Sequence, residues 1–193
     1  ADMHLTVEMV QGISKIFITA CGTAAHAGMV GKMLIESIAK IPVEVEIASE
    51  FRYRDPLIDK NSVVLAISQS GETADTLAAM ALGRSKGAKL WSIVNAIGSQ
   101  AMRMSDGFIS MQTGPEIGVA STKAFTAPLV DLYLLAIALA DLRGVLQPET
   151  RAALVSDLRY LPALVGKCLD YEDDVANVAN RLKSAQNVST TGA

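Results

Sequence analysis

Seven residues, Ser62-Val-Val-Leu-Ala-Ile-Ser68, run almost wholly apolar and then give way at once to Gln69-Ser70-Gly71-Glu72-Thr73 and a helical pattern. So short a run with no polar alternation reads as a strand covered on both faces, which points to a mostly parallel α/β sheet between helices. The junction also has a chemical consequence. Where a strand hands over to a helix, the first-turn N–H groups lack partners, and here three hydroxyls and a glycine surround them. Such a turn can hold a phosphate without a lysine, so the expected ligand is a phosphorylated small molecule. Plain helix capping by Ser70 or Thr73 is the alternative reading of the same residues. Glu72 suits the helix dipole but would repel a phosphate in direct contact, so it is expected to point away.

The rest of the chain repeats the alternation. Strand-like runs at 15–21, 43–48, 62–68, 89–95 and 107–111 alternate with helical patterns near 24–40, 73–86 and 99–104. The reading is a three-layer αβα sandwich with a five-stranded parallel sheet, in the flavodoxin-like order 2-1-3-4-5. Glu44 and Glu46 alternate with valine in the second run, which predicts a wet face at a sheet edge. Residues 1–144 form the principal domain, and 145–193 a helical extension whose polar end reads as an interior point of a longer chain.

Composition excludes several partners. A chain of 193 residues, half of them hydrophobic and with a formal charge of -3, presents no basic field for nucleic acid. The most apolar stretch, 124–142, approaches membrane-spanning length, but Asp131, Asp141 and Pro128 mark it as a core helix, so no membrane is expected. Cys21 and Cys168 lie far apart, without a signal-peptide pattern, as in a reducing cytoplasm with no disulfide.

Two further polar clusters fall at the same sheet edge if the strands are parallel: Cys21-Gly22-Thr23-Ala24 and Gly118-Val119-Ala120-Ser121-Thr122-Lys123. Each also reads as an ordinary connection. No dinucleotide or triphosphate glycine motif is present, so no cofactor is expected. His4 and His26 lack ligand spacing, so no metal is expected either. Glu36, Glu50 and Glu116 are available carboxylates, yet spacing alone names no catalytic base.

Taken together, Ala20-Cys-Gly-Thr23, Val45-Glu-Ile-Ala-Ser-Glu-Phe-Arg-Tyr-Arg54, Ser68-Gln-Ser-Gly-Glu-Thr-Ala-Asp-Thr76 and Gly114-Pro-Glu-Ile-Gly-Val-Ala-Ser-Thr-Lys-Ala-Phe-Thr126 resemble the sugar isomerase (SIS) domain. Within that family the chain is similar to the first SIS half of the isomerising glutamine–fructose-6-phosphate aminotransferases. The resemblance implies fructose 6-phosphate or glucosamine 6-phosphate as ligand and a homodimer as assembly. It places the phosphate on Ser68, Gln69, Ser70 and Thr73, with Thr23 at the neighbouring strand end and Val119 and Ser121 facing the sugar. Relatives often carry serine where Ala24 stands, which leaves only the Ala24 backbone to contribute. The base, the imine-forming lysine and the ring-opening histidine come from outside this half in the family, so no catalytic residue is assigned here. The chain alone is therefore expected to bind sugar phosphate without turning it over. A non-catalytic sugar-phosphate sensor is the second functional reading.

Overall fold

A computed structural model of the chain describes residues 2–118 and 120–189. The contacts divide the chain into two units, Ala1–Arg151 and Ala152–Ala193. In the larger unit, strands β1 (Lys15–Ala20), β2 (Val43–Ile47), β3 (Ser62–Ser68), β4 (Lys89–Val94) and β5 (Gly107–Ser110) form one sheet. Its order is β2-β1-β3-β4-β5 and every neighbouring pair is parallel. This is the architecture and order expected from the alternation of apolar runs and helices.

All seven residues of β3 are buried, because the strand lies at the centre of the sheet with helices over both faces. Val63, Leu65 and Ile67 join Ile16, Ile18, Trp91 and Ile93 in a core beneath helices α2 (Thr23–Leu34) and α6 (Lys123–Leu142). Val64 and Ala66 point the other way, joining Phe17, Phe51, Met80 and Leu90 beneath α3 (Ala48–Arg54) and α4 (Ala74–Ser85). Each large apolar side chain so covered contributes roughly 1.5–3 kcal/mol. A short helix α1 (Val7–Gly12) precedes β1, and α5 (Gln100–Met104) joins β4 to β5.

Small residues let α2 settle close to its neighbours. A Cβ added at Gly28 would stand 2.8 Å from Ile18, and one at Gly31 2.8 Å from Leu132 of α6. A larger residue at either position requires Ile18 or Leu132, or the helix itself, to shift. The helix expected over 24–40 is not uniform: its last part, Ile35–Ala39, widens into a π-turn ending at Lys40 with φ +57°. There Glu36 accepts from the Val43 N–H at 3.0 Å, tying the turn to the start of β2.

Two elements escaped the sequence reading, α1 and α3, and the second corrects an expectation. β2 lies at the sheet edge as expected, but its face carrying Glu44 and Glu46 is only partly wet, with the Glu44 side chain 33% exposed. Helix α3 folds straight back from β2, seats Phe51 edge-on against Phe17 with centroids 5.9 Å apart, and brings Arg54 to both carboxylates. The Glu46 side chain is left 14% exposed, whereas Ile47 is 52% exposed. At the opposite edge, Asp2 pairs with Phe108 of β5 and covers part of that strand.

Helix α6 alone among the described residues is long and apolar enough to cross a membrane. Its buried residues, among them Ala124, Leu132, Leu135, Ala136, Leu139 and Ala140, instead join the α2-side core. Helix α7 (Pro148–Lys167), of which all but the first four residues belong to the smaller unit, continues through a 3-10 turn, Cys168–Tyr171, into α8 (Glu172–Leu182), and none of these elements has a buried residue. Cys21 lies just past the end of β1 rather than inside it, and Cys168 lies in that turn; both thiols are free.

One carboxyl on α6 is partly buried beside the core. Asp131 of α6 has a buried Oδ2 with no hydrogen-bond partner among the described residues, and burial pushes its carboxyl from 3.8 up to about 6. Between those two values the native state binds more protons than the unfolded chain, so stability falls as pH rises across the window and stays lost above it. Asp131→Asn should therefore gain on the wild type by on the order of 1–2 kcal/mol between pH 4.5 and pH 7.5. Denaturant unfolding of both proteins at the two pH values measures this, and an unchanged difference would show that the carboxyl titrates normally.

Candidate functional site

Strand order reverses between β1 and β3, since the chain runs outward from β1 to β2 but in the opposite direction from β3 to β5. The loops leaving the carboxyl ends of these two strands diverge there and open a crevice. A cavity of about 240 Å³ occupies that position. Thr23, Ala24, Ser68, Gln69, Ser70, Thr73 and Ser121 all line it, although they come from three separate stretches of chain. Val119, the remaining residue singled out in the sequence, lies outside the described residues.

The β3–α4 turn is built to leave donors free. Ser68 Oγ accepts from the Gly71 N–H at 3.0 Å, and Ser70 Oγ accepts from the Glu72 N–H at 3.2 Å. As acceptors, both hydroxyls keep their own hydrogens for another partner. Ser70 accepting from the N–H two residues on is what the capping alternative expected of it, but Thr73, at the N-cap position of α4, caps nothing and that helix start has no side-chain cap. The carboxylate of Glu72 is directed elsewhere, accepting from the Gln100 N–H at 2.7 Å at the start of α5. Glu72 therefore adds no negative charge to the turn, and the acidic residue in the first turn of α4 is Asp75.

Gly71 is what allows the turn to close. Its φ is +63°, and a Cβ there would stand 2.2 Å from Ser99 Oγ and 2.6 Å from Ser99 Cβ. The Gly71 carbonyl accepts from the Ala101 N–H and the Gln69 carbonyl from the Asn95 and Ala96 N–H groups, so the turn is pinned to the β4–α5 connection.

The third wall is the segment after β5. Asn95, at the end of β4, donates to the Gly114 carbonyl at 2.7 Å and accepts from the Thr113 N–H and hydroxyl. Further along, Glu116 Oε1 accepts from Thr122 N–H, Thr122 Oγ1 and Ala124 N–H, and Oε2 accepts from Ser121 Oγ at 3.3 Å. Glu116 thus caps α6, whose N-cap residue Thr122 does not do so itself. The Thr122 backbone N–H holds the Glu116 carboxyl below its ordinary range, with a further contribution from Ala124.

Six lining residues were not singled out as site residues from the sequence: Cys21, Ile67, Thr76, Glu116, Gly118 and Ala124. Cys21 and Thr76 meet at the base of the cavity, with Sγ and Oγ1 3.9 Å apart. Glu116 was noted only as an available carboxylate, and nothing in its spacing signalled that it reaches the α6 start. His26 lies on the exposed face of α2 and does not line the cavity, and His4 pairs with Asp2 instead. Among the described residues, no three His, Cys, Asp or Glu side chains gather as a metal ion would require.

Comparison with known proteins gives a consistent picture. The SIS domain family matches residues 9–138. The chain is 45% identical over 192 residues to glutamine–fructose-6-phosphate aminotransferase (isomerizing) of Symbiobacterium thermophilum, covering 100% of this chain and 32% of that protein. The enzyme of the same name from Bacteroides thetaiotaomicron is 48% identical over 180 residues, covering 93% and 29% respectively. The solved C-terminal domain of glucosamine-fructose-6-phosphate aminotransferase from Francisella tularensis superposes with a TM-score of 0.88 at 38% identity, covering 92% of this chain and 51% of that one. The chain therefore spans about a third of the length of the curated relatives it matches.

Replacing Gly71 by alanine should force a left-handed alanine against Ser99 and cost about 1–3 kcal/mol. Thermal unfolding together with the amide spectrum of residues 68–73 tests this. A Gly71→Ala protein with unchanged melting and unchanged turn resonances would contradict the described packing.

Proposed function

This chain belongs to the SIS domain family, and from its cavity we propose that it binds a hexose 6-phosphate as the sugar-holding part of an isomerising glutamine–fructose-6-phosphate aminotransferase. The observation that carries the reading is the state of the β3–α4 turn. Its serine oxygens accept from the turn's own backbone while their hydrogens and an uncapped helix start stay open on one cavity. A phosphate met by those donors is bound by fixed dipoles and needs no cationic side chain.

In this reading Ser68, Gln69, Ser70 and Thr73 hold the phosphate, Thr23 approaches it from the end of β1, and Ser121 with Val119 faces the sugar. Ala24 offers its backbone only. The phosphate is a handle remote from the reacting carbons, and its binding energy fixes where those carbons lie. Fructose 6-phosphate and glucosamine 6-phosphate share that handle, so both are ligands of the proposal. We further propose a cytoplasmic protein that acts as a homodimer, without nucleic-acid or membrane partners.

The proton chemistry of such a reaction is not provided by this cavity. Glu116 and Cys21 are the titratable side chains among its described lining residues. A carboxylate whose proton affinity is lowered by three hydrogen bonds from Thr122 and Ala124 is a weak base near neutrality. The domain's part is positioning, and the acid–base groups belong elsewhere in the assembly.

Titration calorimetry with fructose 6-phosphate should show saturable weak binding to the wild type. Ser70→Ala combined with Thr73→Ala should weaken it by about tenfold or more, since each removed charge-assisted bond is worth roughly 1.5–3 kcal/mol. Unaltered affinity in the double variant would refute the phosphate assignment. Incubated with fructose 6-phosphate and ammonia, the chain alone should form no glucosamine 6-phosphate; turnover would show that a base exists in this domain.

A further inference from the structure

The cavity has two ends of opposite character. Its β3–α4 side presents hydroxyl hydrogens and the start of a helix, while its β5–α6 side presents Glu116, the one charged side chain among its described lining residues. Both walls include the beginning of a helix, but they are treated differently. The α4 start is left uncapped, whereas the α6 start is already occupied by the Glu116 carboxylate through the Thr122 and Ala124 N–H groups. A second anion therefore finds no free helix start on that side and meets a fixed negative charge instead.

The carboxylate is also incompletely used. Oε1 accepts three hydrogen bonds, but Oε2 accepts only one among the described residues, from Ser121 Oγ. An ionised carboxylate has about four acceptor positions in two pairs, so Oε2 retains capacity for a donor from a ligand. The segment that carries it is held at both ends, by Asn95 on Gly114 and by Glu116 itself on α6. The charge is pre-positioned rather than swinging in solvent.

We propose that Glu116 sets ligand specificity at this site: it selects sugar monophosphates whose far end carries a cationic or hydrogen-bond-donating group, such as an amino sugar phosphate, and rejects sugar acids and bisphosphates. The proposal rests on the phosphate reading of the β3–α4 turn and adds to it the sign of the opposite wall. Positive selection comes from the lone pair of Oε2 and negative selection from the charge, the two components any discriminating site combines.

Three probes with the same phosphate separate the terms: glucosamine 6-phosphate, glucose 6-phosphate and 6-phosphogluconate, each titrated calorimetrically into the wild type and into Glu116→Gln. The wild type should bind them in that order of decreasing affinity. In Glu116→Gln the ratio of amine to acid affinity should fall by about tenfold while glucose 6-phosphate changes far less, the size expected for one partly screened charge. Equal weakening of all three, or an unchanged ratio, would show that Glu116 only staples α6 and would overturn the proposal.

Should Glu116→Gln fail to fold, the wild type still decides. The side-chain carboxyl ¹³C resonance of Glu116 should move on adding glucosamine 6-phosphate and stay nearly still with inorganic phosphate, and equal responses to both would overturn the proposal. Absence of binding by all three probes, with still resonances at residues 68–73, would instead remove the phosphate reading beneath it.

Discussion

A strand buried on both faces has nowhere to expose its chemistry except at its ends, and β3 imposes that limit on the whole domain. Its flanks are filled by Leu65 and Ile67 on one side and Val64 and Ala66 on the other, so every polar group it delivers to a ligand must come after Ile67. Parallel pairing with β1 and β4 brings the carboxyl ends of all three strands to one edge of the sheet. Reversal of strand order between β1 and β3 then parts their loops, and the cavity follows from this topology.

Within the cavity, hydrogen bonding separates structural from functional capacity atom by atom. The oxygens of Ser68 and Ser70 are spent on shaping the turn, while their hydrogens are not. Glu72 is withdrawn to cap α5, which spares the turn a repulsive charge; Glu116 is retained on the facing wall, where it caps α6. Two carboxylates close to helix starts thus have opposite effects on the space between them, one removed from it and the other bordering it. The shape of the turn depends equally on Gly71, whose missing side chain leaves room for Ser99.

Much of the architecture was legible in the chain itself. Continuous apolar runs at 62–68 and 15–21 indicated central parallel strands, and the Ser68–Thr73 cluster indicated a polar turn that lines the cavity. Seven of the eight residues proposed for the ligand line a single cavity, and the eighth, Val119, lies outside the described residues. The miss at β2 is instructive. The alternating glutamates did mark an edge strand, but α3 was too short to register as a helical period, and it partly covers the glutamate face with Phe51 and Arg54.

Local pattern was sufficient for strand identity, strand direction and the donor-rich turn, because each depends on residues within a few positions of one another and on the period of their burial. It was insufficient for Glu116. That carboxylate reaches Thr122 and Ala124, six and eight positions along the chain, and it lines the same cavity as the β3–α4 turn from a segment more than forty residues away in sequence. Spacing carries no information about such an approach; only packing of β5 and α6 against the rest of the sheet decides which charge faces which donor.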